Sequence, residues 1–292
     1  MNIPLGWFIG IASILGGFLW LGGTWNQLWV PQEYLILLGG GLGALVAANK
    51  WRNLRNLGVA VGRVFGSPEA SKNENLELLS LMFELLQRIK TDGPLSIDKD
   101  LANPMSSSLF AKYPALLKRD RLIEFIADYL RMTIDGTMTL SQLETVMEQE
   151  ISVLEIELKE PAESIDTLAD SMPAFGIVAA IVGVIHALSA IGVGTTATVI
   201  GAKIASALVG TLLGVFAAYA IFAPVGRSLM QRAESEERQF RAVKEVLIAS
   251  FSNFSPMVAT EYGRKVLYSD QRPSMVQLED HIMSTSGGRL RG

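Results

Sequence analysis

Charged side chains are kept out of four long apolar stretches, and this separation limits the folds open to the 292-residue chain. Every Lys and Arg except Lys203 lies within 50–172 or 225–292. The stretches without Asp, Glu, Lys or Arg are 5–21, 34–49, 173–201 and 204–226. A membrane span needs about 20 largely apolar residues. The sequence therefore predicts an all-α integral membrane protein with four transmembrane helices, over about 5–22, 33–49, 172–192 and 201–224.

Composition excludes several other classes of protein. Charged residues make up only 18% of the chain, whereas a soluble domain carries about 25%. Buried hairpins of a soluble protein would show a polar stripe on one helix face, and none of the four stretches has one. The net charge of −4 disfavours nucleic acid as a partner. With no Cys and two distant His, at His186 and His281, we expect no metal site, no cofactor and no enzyme activity.

The basic residues predict which side of the membrane each segment occupies. Lys50 and Arg52 follow the second span, Arg227 follows the fourth, and the connection 22–33 has Glu33 as its only charge. Basic flanks stay in the cytoplasm, so we expect both termini there. The predicted domains are a transmembrane hairpin over 1–49, a helical cytoplasmic domain over 50–169, a second transmembrane hairpin over 170–226, and a helical cytoplasmic tail over 227–292.

Apolar residues at three-and-four spacing predict helices in the cytoplasmic segments. One covers 78–89 and ends at Thr91-Asp92-Gly93-Pro94, and others cover 120–132 and 228–250. A further helix begins at Thr139, which can form a reciprocal cap with Gln142, and is expected to end at Pro161. No strand pattern is present.

The four uncharged stretches contain no carboxylate, although a transporter needs an ionisable group inside the membrane. His186 is the only ionisable residue within them, and we expect it to be interfacial or packed near the outer face. If ions move here, another chain must supply the acid. Thr211 lies between Gly210 and Gly214, which allow a close neighbouring helix. Its hydroxyl can bond that helix or face a pore.

Two prolines frame the second pair of spans. Pro173 lies near the inner start of the third span and Pro224 near the inner end of the fourth. Proline is well tolerated in the first helical turn, so Pro173 alone can mark a helix start. As a pair at one depth, the two prolines can act as hinges.

The segment 170–180, DSMPAFGIVAA, with the following Gly183 and His186-Ala187-Leu188, resembles the third-span signature of the MotA family of flagellar motor stator subunits. This family lies within the MotA/ExbB/TolQ superfamily. Further matching segments are Gly16-Gly17-Phe18, Asn103-Pro104, Tyr113-Pro114, Val209-Gly210-Thr211, Glu261-Tyr262-Gly263-Arg264-Lys265 and Arg272-Pro273-Ser274. The resemblance covers nearly the whole chain.

The resemblance implies a ring of five such subunits around a dimer of MotB in the lipid of the bacterial inner membrane. The MotB aspartate would carry the ion, and its periplasmic part would hold peptidoglycan. The ring would couple inward ion flow to torque on the rotor protein FliG. The alternative is an energiser of outer-membrane import or envelope maintenance, like ExbB or TolQ. Such proteins typically have three spans and lack the hairpin at 5–49.

The resemblance also assigns roles to individual residues. Pro173 and Pro224 match the family prolines thought to couple ion binding to motion. Lys90 and Asp98 match the rotor-contacting charges, normally Arg and Glu, and keep their signs but not their side chains. Ala180 and Thr211 would lie along the ion path. Sodium-driven relatives have Thr where this chain has Ala180, so the resemblance favours H⁺ over Na⁺ as the transported ion.

Overall fold

The computed structural model describes residues 3–66, 71–134, 136, 138–189, 191 and 196–285. Within these residues the chain is helical and contains no strand. The helices are α1 (Ile3–Trp20), α2 (Trp25–Leu28), α3 (Pro31–Ala48), α4 (Trp51–Gly66), α5 (Lys72–Asp92), α6 (Asp98–Ala102), α7 (Asp120–Ile134), α8 (Leu140–Ser189), α9 (Ala197–Phe216), α10 (Ala223–Phe251), α11 (Pro256–Val266) and α12 (Met275–Thr285). Short 3₁₀ turns cover Pro94–Ile97, Pro104–Ser106, Phe110–Lys112 and Leu116–Lys118.

Four helical segments are long and apolar enough to cross a membrane, as the charge pattern predicted. They lie in α1, in α2 with α3, in α8, and in the continuous run from α9 to α10. Helix α1 has no buried residue within the chain, so its apolar side chains are left to face lipid or another subunit. The prediction of an all-α membrane protein with four spans is confirmed.

Helix α8 is far longer than the sequence pattern indicated. It runs from Leu140 to Ser189 without a break and contains both Pro161 and Pro173. The prediction that Pro161 ends a helix is therefore wrong. A proline removes one helical hydrogen bond, and tertiary packing can offset that loss. Ala162 and Ile165, which follow Pro161, are buried in an apolar cluster, and this packing stabilises the uninterrupted helix.

The fourth span also continues as a long helix. Between α9 and α10 the residues Ala217–Phe222 form a π-helical turn, after which α10 runs to Phe251. The helix predicted over 228–250 as a continuation of the last span is confirmed. Pro224 lies two residues after the π turn, and π turns commonly accommodate such a local loss of α-helical hydrogen bonding.

The chain divides into two compact units, each built from two separate stretches. The first contains residues 1–67 and 159–231, and the second contains 68–158 and 232–292. The first unit holds the four spans together with α4, whose residues lie in the segment predicted as cytoplasmic. The predicted end of the third span, residue 192, lies outside the described residues, as do 286–292 of the predicted tail.

The second unit has an apolar core of its own. Most of the central residues of α5 are buried, and many of them pack in that core. It ends at Asp92, and α7 covers Asp120–Ile134, as predicted. The predicted cap before α8 is present: Thr139 N donates to Gln142 Oε1 at 2.9 Å, and Gln142 N donates to Thr139 Oγ1 at 3.3 Å. This reciprocal pair satisfies two donors at the helix start.

Candidate functional site

Helices α8 and α9 touch backbone to backbone through glycines. A Cβ placed on Gly176 would lie 2.8 Å from the Gly210 carbonyl oxygen, and one on Gly214 would lie 2.6 Å from the Met172 carbonyl oxygen. Neither distance is tolerable for a real side chain, so only glycine permits this approach. Small residues that let two helices meet closely are a general device of membrane helix packing.

Thr211 uses this close approach to join the two helices. Its hydroxyl Oγ1 donates a hydrogen bond of 3.2 Å to the carbonyl oxygen of Gly176. The side chain is half-buried between α8 and α9. Of the two uses that the sequence allowed for this hydroxyl, interhelical hydrogen bonding is the one present here. A role along the ion path stays a prediction.

Ala180 lies close to the same point. It is half-buried on α8, and in a regular helix its N–H donates to the carbonyl of the residue four positions earlier, which is Gly176. The two predicted ion-path residues therefore meet at one carbonyl oxygen, with Thr211 reaching it from α9. Ala180 itself adds no side-chain oxygen there.

Pro173 and Pro224 both lie inside helices. Pro173 is deep within α8, so it does not mark a helix start. Pro224 is the second residue of α10. Each lacks the N–H that would bond the carbonyl four residues back, at Ala169 and Ala220. Both prolines therefore sit where a helix is weakened without being interrupted.

The two prolines lie at different levels of the helix pair. Gly214 faces Met172, next to Pro173, whereas Gly226, two residues beyond Pro224, faces Asp166. The expectation of a pair at one depth is therefore wrong. Helices α8 and α9 pack with a register that depends on their glycines, and that register is not visible in the spacing of two prolines along the sequence.

Glu33 contradicts the expectation that the spans hold no carboxylate. The sequence placed it in the connection 22–33, but it lies in the first turn of α3 and is only 2% exposed. Its carboxyl group packs against Gly183 of α8 and Gly210 of α9. The carboxylate oxygen Oε2 is buried and has no hydrogen-bond partner. Sequence reasoning missed this site because Glu33 borders an apolar stretch instead of interrupting one.

His186 pairs with Lys203 across the α8–α9 connection. The Nζ of Lys203 lies 3.3 Å from Nε2 of His186. His186 is exposed and lies one turn from the end of α8. Its interfacial position stays a prediction. Lys203, the one charged residue between the third and fourth uncharged stretches, is thereby given a polar partner.

Lys90 and Asp98 lie in the second unit, on either side of a tight turn. Lys90 is in the last turn of α5, and Asp98 begins α6. Both side chains are exposed, and within the described part of the chain neither makes a hydrogen bond or ion pair. Their neighbour Arg88 differs, because it contacts Glu84 and Asp100, each at 3.5 Å. The two residues assigned to the rotor contact are thus open to solvent.

Buried groups hold the turn between these charges in place. Gly93 adopts a φ of 89°, which favours glycine, and Ile97 is fully buried in the core. Behind the turn, Glu84 accepts hydrogen bonds from Lys112 Nζ at 2.5 Å and from Tyr113 Oη at 3.0 Å. Burial, with the nearby Glu84 carboxylate, raises the pKa of Tyr113, so this phenol stays a donor at every physiological pH.

Leu95 is a feature of this turn that sequence reasoning missed. Its side chain is 79% exposed, although it lies between a buried isoleucine and the end of a buried helix. The exposed leucine lies between the exposed charges Lys90 and Asp98 along the chain. The signal in the sequence is the single apolar residue directly after Gly93-Pro94.

No cluster of three or more His, Asp or Glu side chains that could hold a metal ion occurs among the residues that the structure describes.

Comparison with known families agrees with this arrangement. The family model described as Motility protein A N-terminal matches residues 4–93. The model of the MotA/TolQ/ExbB proton channel family matches residues 119–242. The first match covers α1 to α5, which includes Lys90, and the second covers α7 to α9 and most of α10. These are channel families and not enzyme families.

Individual relatives match over almost their whole length. The chain is 36% identical over 282 residues to Motility protein A of Salmonella typhimurium, covering 97% of this chain and 95% of that protein. It is 33% identical over 284 residues to the chemotaxis protein LafT of Vibrio parahaemolyticus, covering 96% and 99%.

Solved structures show the same fold. The structure of C. jejuni MotAB matches with a TM-score of 0.75 at 21% identity, over 94% of this chain and 98% of that chain. The flagellar MotAB stator complex from Bacillus subtilis matches with a TM-score of 0.69 at 20% identity, over 88% and 92%. With 36% identity across nearly the full length of a curated relative, the chain belongs to the motility protein A family of the MotA/TolQ/ExbB superfamily.

Proposed function

We propose that this chain is a flagellar motor stator subunit that, together with MotB, couples inward proton flow to torque on the rotor protein FliG. The observation that carries the proposal is the full-length match to motility protein A, combined with four spans that include a glycine-packed α8–α9 pair. The chain would occupy the bacterial inner membrane, with both termini in the cytoplasm.

The assembly around the partner follows from the relatives. Structures of MotAB stator complexes contain both kinds of chain, and this chain has their fold. Its spans leave much apolar surface exposed, including Ile177, Ile181 and Ile185 along one side of α8. Exposure of that apolar surface to water is energetically unfavourable. We therefore expect lipid, further copies of this chain and a partner helix to cover it. We propose a pentamer around a MotB dimer.

Proton flow supplies energy in small portions. One elementary charge crossing 100 mV yields about 2.3 kcal/mol, so each proton drives only a small conformational step. We propose that protonation of the MotB aspartate changes its contact with α8 and α9 near Ala180 and Thr211. Pro173 and Pro224 weaken these helices at two levels, which lets the change bend them. The ring then turns and pushes the rotor through Lys90 and Asp98.

Deleting the gene tests the stator role. Cells that build flagella but do not swim support the proposal. Normal swimming with defective outer-membrane import would support the ExbB- or TolQ-like alternative instead. The match of residues 4–93 to the N-terminal motility protein A model favours the stator, because it covers the early hairpin that the alternative class lacks.

The choice of ion is tested in cells where this chain is the only stator subunit of its kind. We expect swimming speed to fall with a protonophore and to stay constant when sodium is removed at fixed membrane potential. The absence of a side-chain oxygen at Ala180 supports protons, because sodium is a hard cation that requires oxygen ligands. Motility that vanishes without sodium would contradict this part of the proposal.

A further inference from the structure

Glu33 is a carboxylic acid enclosed by the membrane unit itself. Its side chain is 2% exposed, and it enters the gap between α8 and α9 from the start of α3. The oxygen Oε2 has no hydrogen-bond partner. Burying an ionised carboxylate without a partner is unfavourable, so a buried acid is either paired with another group or neutralised by a proton.

The surrounding residues leave room for this carboxyl group and for little else. A Cβ on Gly183 would lie 2.9 Å from Oε1, and a Cβ on Gly210 would overlap Oε2. Ala207 of α9 packs against Gly183, and Ala179 of α8 packs against Gly210. Two glycines on different helices thus form a cradle for one acid, which a merely structural glutamate at an exposed helix start would not need.

Along α8 and α9, the ionisable side chains nearest to the cradle in sequence lie toward the connection between these helices. His186 lies three residues after Gly183 on α8, and Lys203 lies four residues before Ala207 on α9. One helical turn spans about 5.4 Å, so the His186–Lys203 pair lies one turn from the cradle along the same seam. Helices α1 and α2 and the π turn Ala217–Phe222 carry no charged residue.

We propose that Glu33 is a second proton-binding site of the ion path, supplied by this chain and loaded from the His186–Lys203 end of the α8–α9 seam. One O–H bond of a hydronium ion breaks as an O–H bond forms at the carboxylate of Glu33, which leaves water and a neutral carboxyl group. The carboxyl O–H bond breaks when the proton passes to the next acceptor, and the carboxylate is restored. This inference rests on the proposed stator function and adds a site to it.

The position of the cradle links it to the predicted path. Gly210 precedes Thr211 in α9, so the Glu33 carboxyl group lies beside a direct neighbour of one predicted ion-path residue. Ala179, which precedes Ala180 in α8, packs against Gly210 in turn. The two residues that form the cradle, Gly183 and Gly210, offer no side-chain oxygen. A hard cation such as sodium would lack ligands here, and a proton needs none.

Infrared spectroscopy tests the proposal on the full chain purified with its MotB partner in lipid nanodiscs. The carbonyl stretch of a protonated carboxyl group is separate from that of a carboxylate, so its intensity can be followed against pH. We expect a titrating band that disappears in Glu33→Gln and remains in Gln32→Ala. Gln32 is the matched control because it is exposed and adjacent in α3.

Proton flux into proteoliposomes of the same complex provides the functional readout. We expect Glu33→Gln to lower the flux about a hundredfold, the lower end of what a positioned proton-transfer group contributes, and Glu33→Asp to restore part of it. Unchanged flux in Glu33→Gln with an active wild type would overturn the Glu33 assignment alone, as would an infrared band that survives the substitution.

A wild-type complex that carries no protons would instead contradict the stator proposal. A flux that requires sodium would overturn the proton assignment of the site.

Discussion

The hydroxyl of Thr211 donates a hydrogen bond of 3.2 Å to the carbonyl oxygen of Gly176, and this bond crosses the α8–α9 contact where the two backbones are closest. The bond depends on Gly176 and Gly210, since a side chain on either would push the helices apart. A bond of this kind can act as a latch that holds the pair in one arrangement.

Replacing Thr211 with Val should remove this hydrogen bond while keeping the branched shape of the side chain. Interhelical hydrogen bonds in membranes contribute about 0.6 kcal/mol on average, so we expect a small loss of thermal stability in the purified complex. If the hydroxyl also serves the ion path, swimming speed should fall by far more than this loss explains. Thr211→Ser should restore both quantities, and equal stability of Thr211→Val and wild type would contradict the latch.

Reversing the exposed charges should impair torque without affecting folding. Lys90 and Asp98 make no ion pair within the described residues, so we expect Lys90→Glu and Asp98→Lys to change the free energy of unfolding by less than about 0.5 kcal/mol. Swimming should nevertheless slow, and a rotor with the opposite charge should partly rescue Asp98→Lys.

Lys118→Glu provides the control for these reversals, because Lys118 is also exposed but lies outside the Lys90–Asp98 turn. We expect it to swim normally. Arg88→Glu should behave differently again and destabilise the unit, because Arg88 contacts Glu84 and Asp100. Unchanged torque in both Lys90→Glu and Asp98→Lys would remove the rotor contact from these residues.

Restoring the missing helical hydrogen bonds should stiffen the membrane helices. Alanine is favoured over proline inside a helix by up to about 3 kcal/mol, so Pro173→Ala and Pro224→Ala should raise thermal stability. If these prolines permit bending during the cycle, both variants should lose swimming. Pro161→Ala is the matched control, because Pro161 also lies inside α8 and has no predicted role in coupling. Loss of swimming in all three variants would indicate a general effect of helix stiffness and not two specific hinges.

The pairing of Glu261 with Arg264 should make the second unit sensitive to acid. Hydrogen bonds from Arg264, at 2.5 and 2.7 Å, lower the pKa of Glu261 below its ordinary value of 4.5. A group with a lowered folded-state pKa stabilises the fold above its unfolded-state pKa, and this contribution disappears as the pH falls through the folded-state value. Thermal stability should therefore drop as the pH is taken below 4.5.

Glu261→Gln should flatten that pH dependence, because the side chain no longer titrates. Arg264 also donates to the carbonyl of Pro273 at 2.8 Å, so the variant should keep the connection between α11 and α12. A melting temperature that falls with acid equally in wild type and variant would show that other carboxylates control the acid response. The comparison requires the purified complex in detergent, with melting followed by circular dichroism from neutral pH downward.

Local rules predicted the helices well where a local signal dominates. Helix α5 ends at Gly93, whose positive φ favours glycine, as predicted. Helix α8 begins after the predicted cap between Thr139 and Gln142, which lie three residues apart. Pro161 was misjudged because the rule for prolines counts one lost hydrogen bond and omits the buried packing of Ala162 and Ile165. Glu33 was misjudged because its neighbours in space come from α8 and α9, far away in sequence.

The sequence by itself determined the class of protein and its four spans. A charge in hydrocarbon has a large free-energy cost, so the absence of charged residues over about 20 positions identifies a span without any knowledge of tertiary contacts. Only the tertiary structure decided which groups meet inside those spans. Whether Thr211 bonds a helix, whether two prolines share a level, and whether Glu33 faces water or a glycine cradle all depend on the register of α8 against α9 and α3. That register results from close contacts between small residues on different helices, and such contacts leave no periodic mark along the chain.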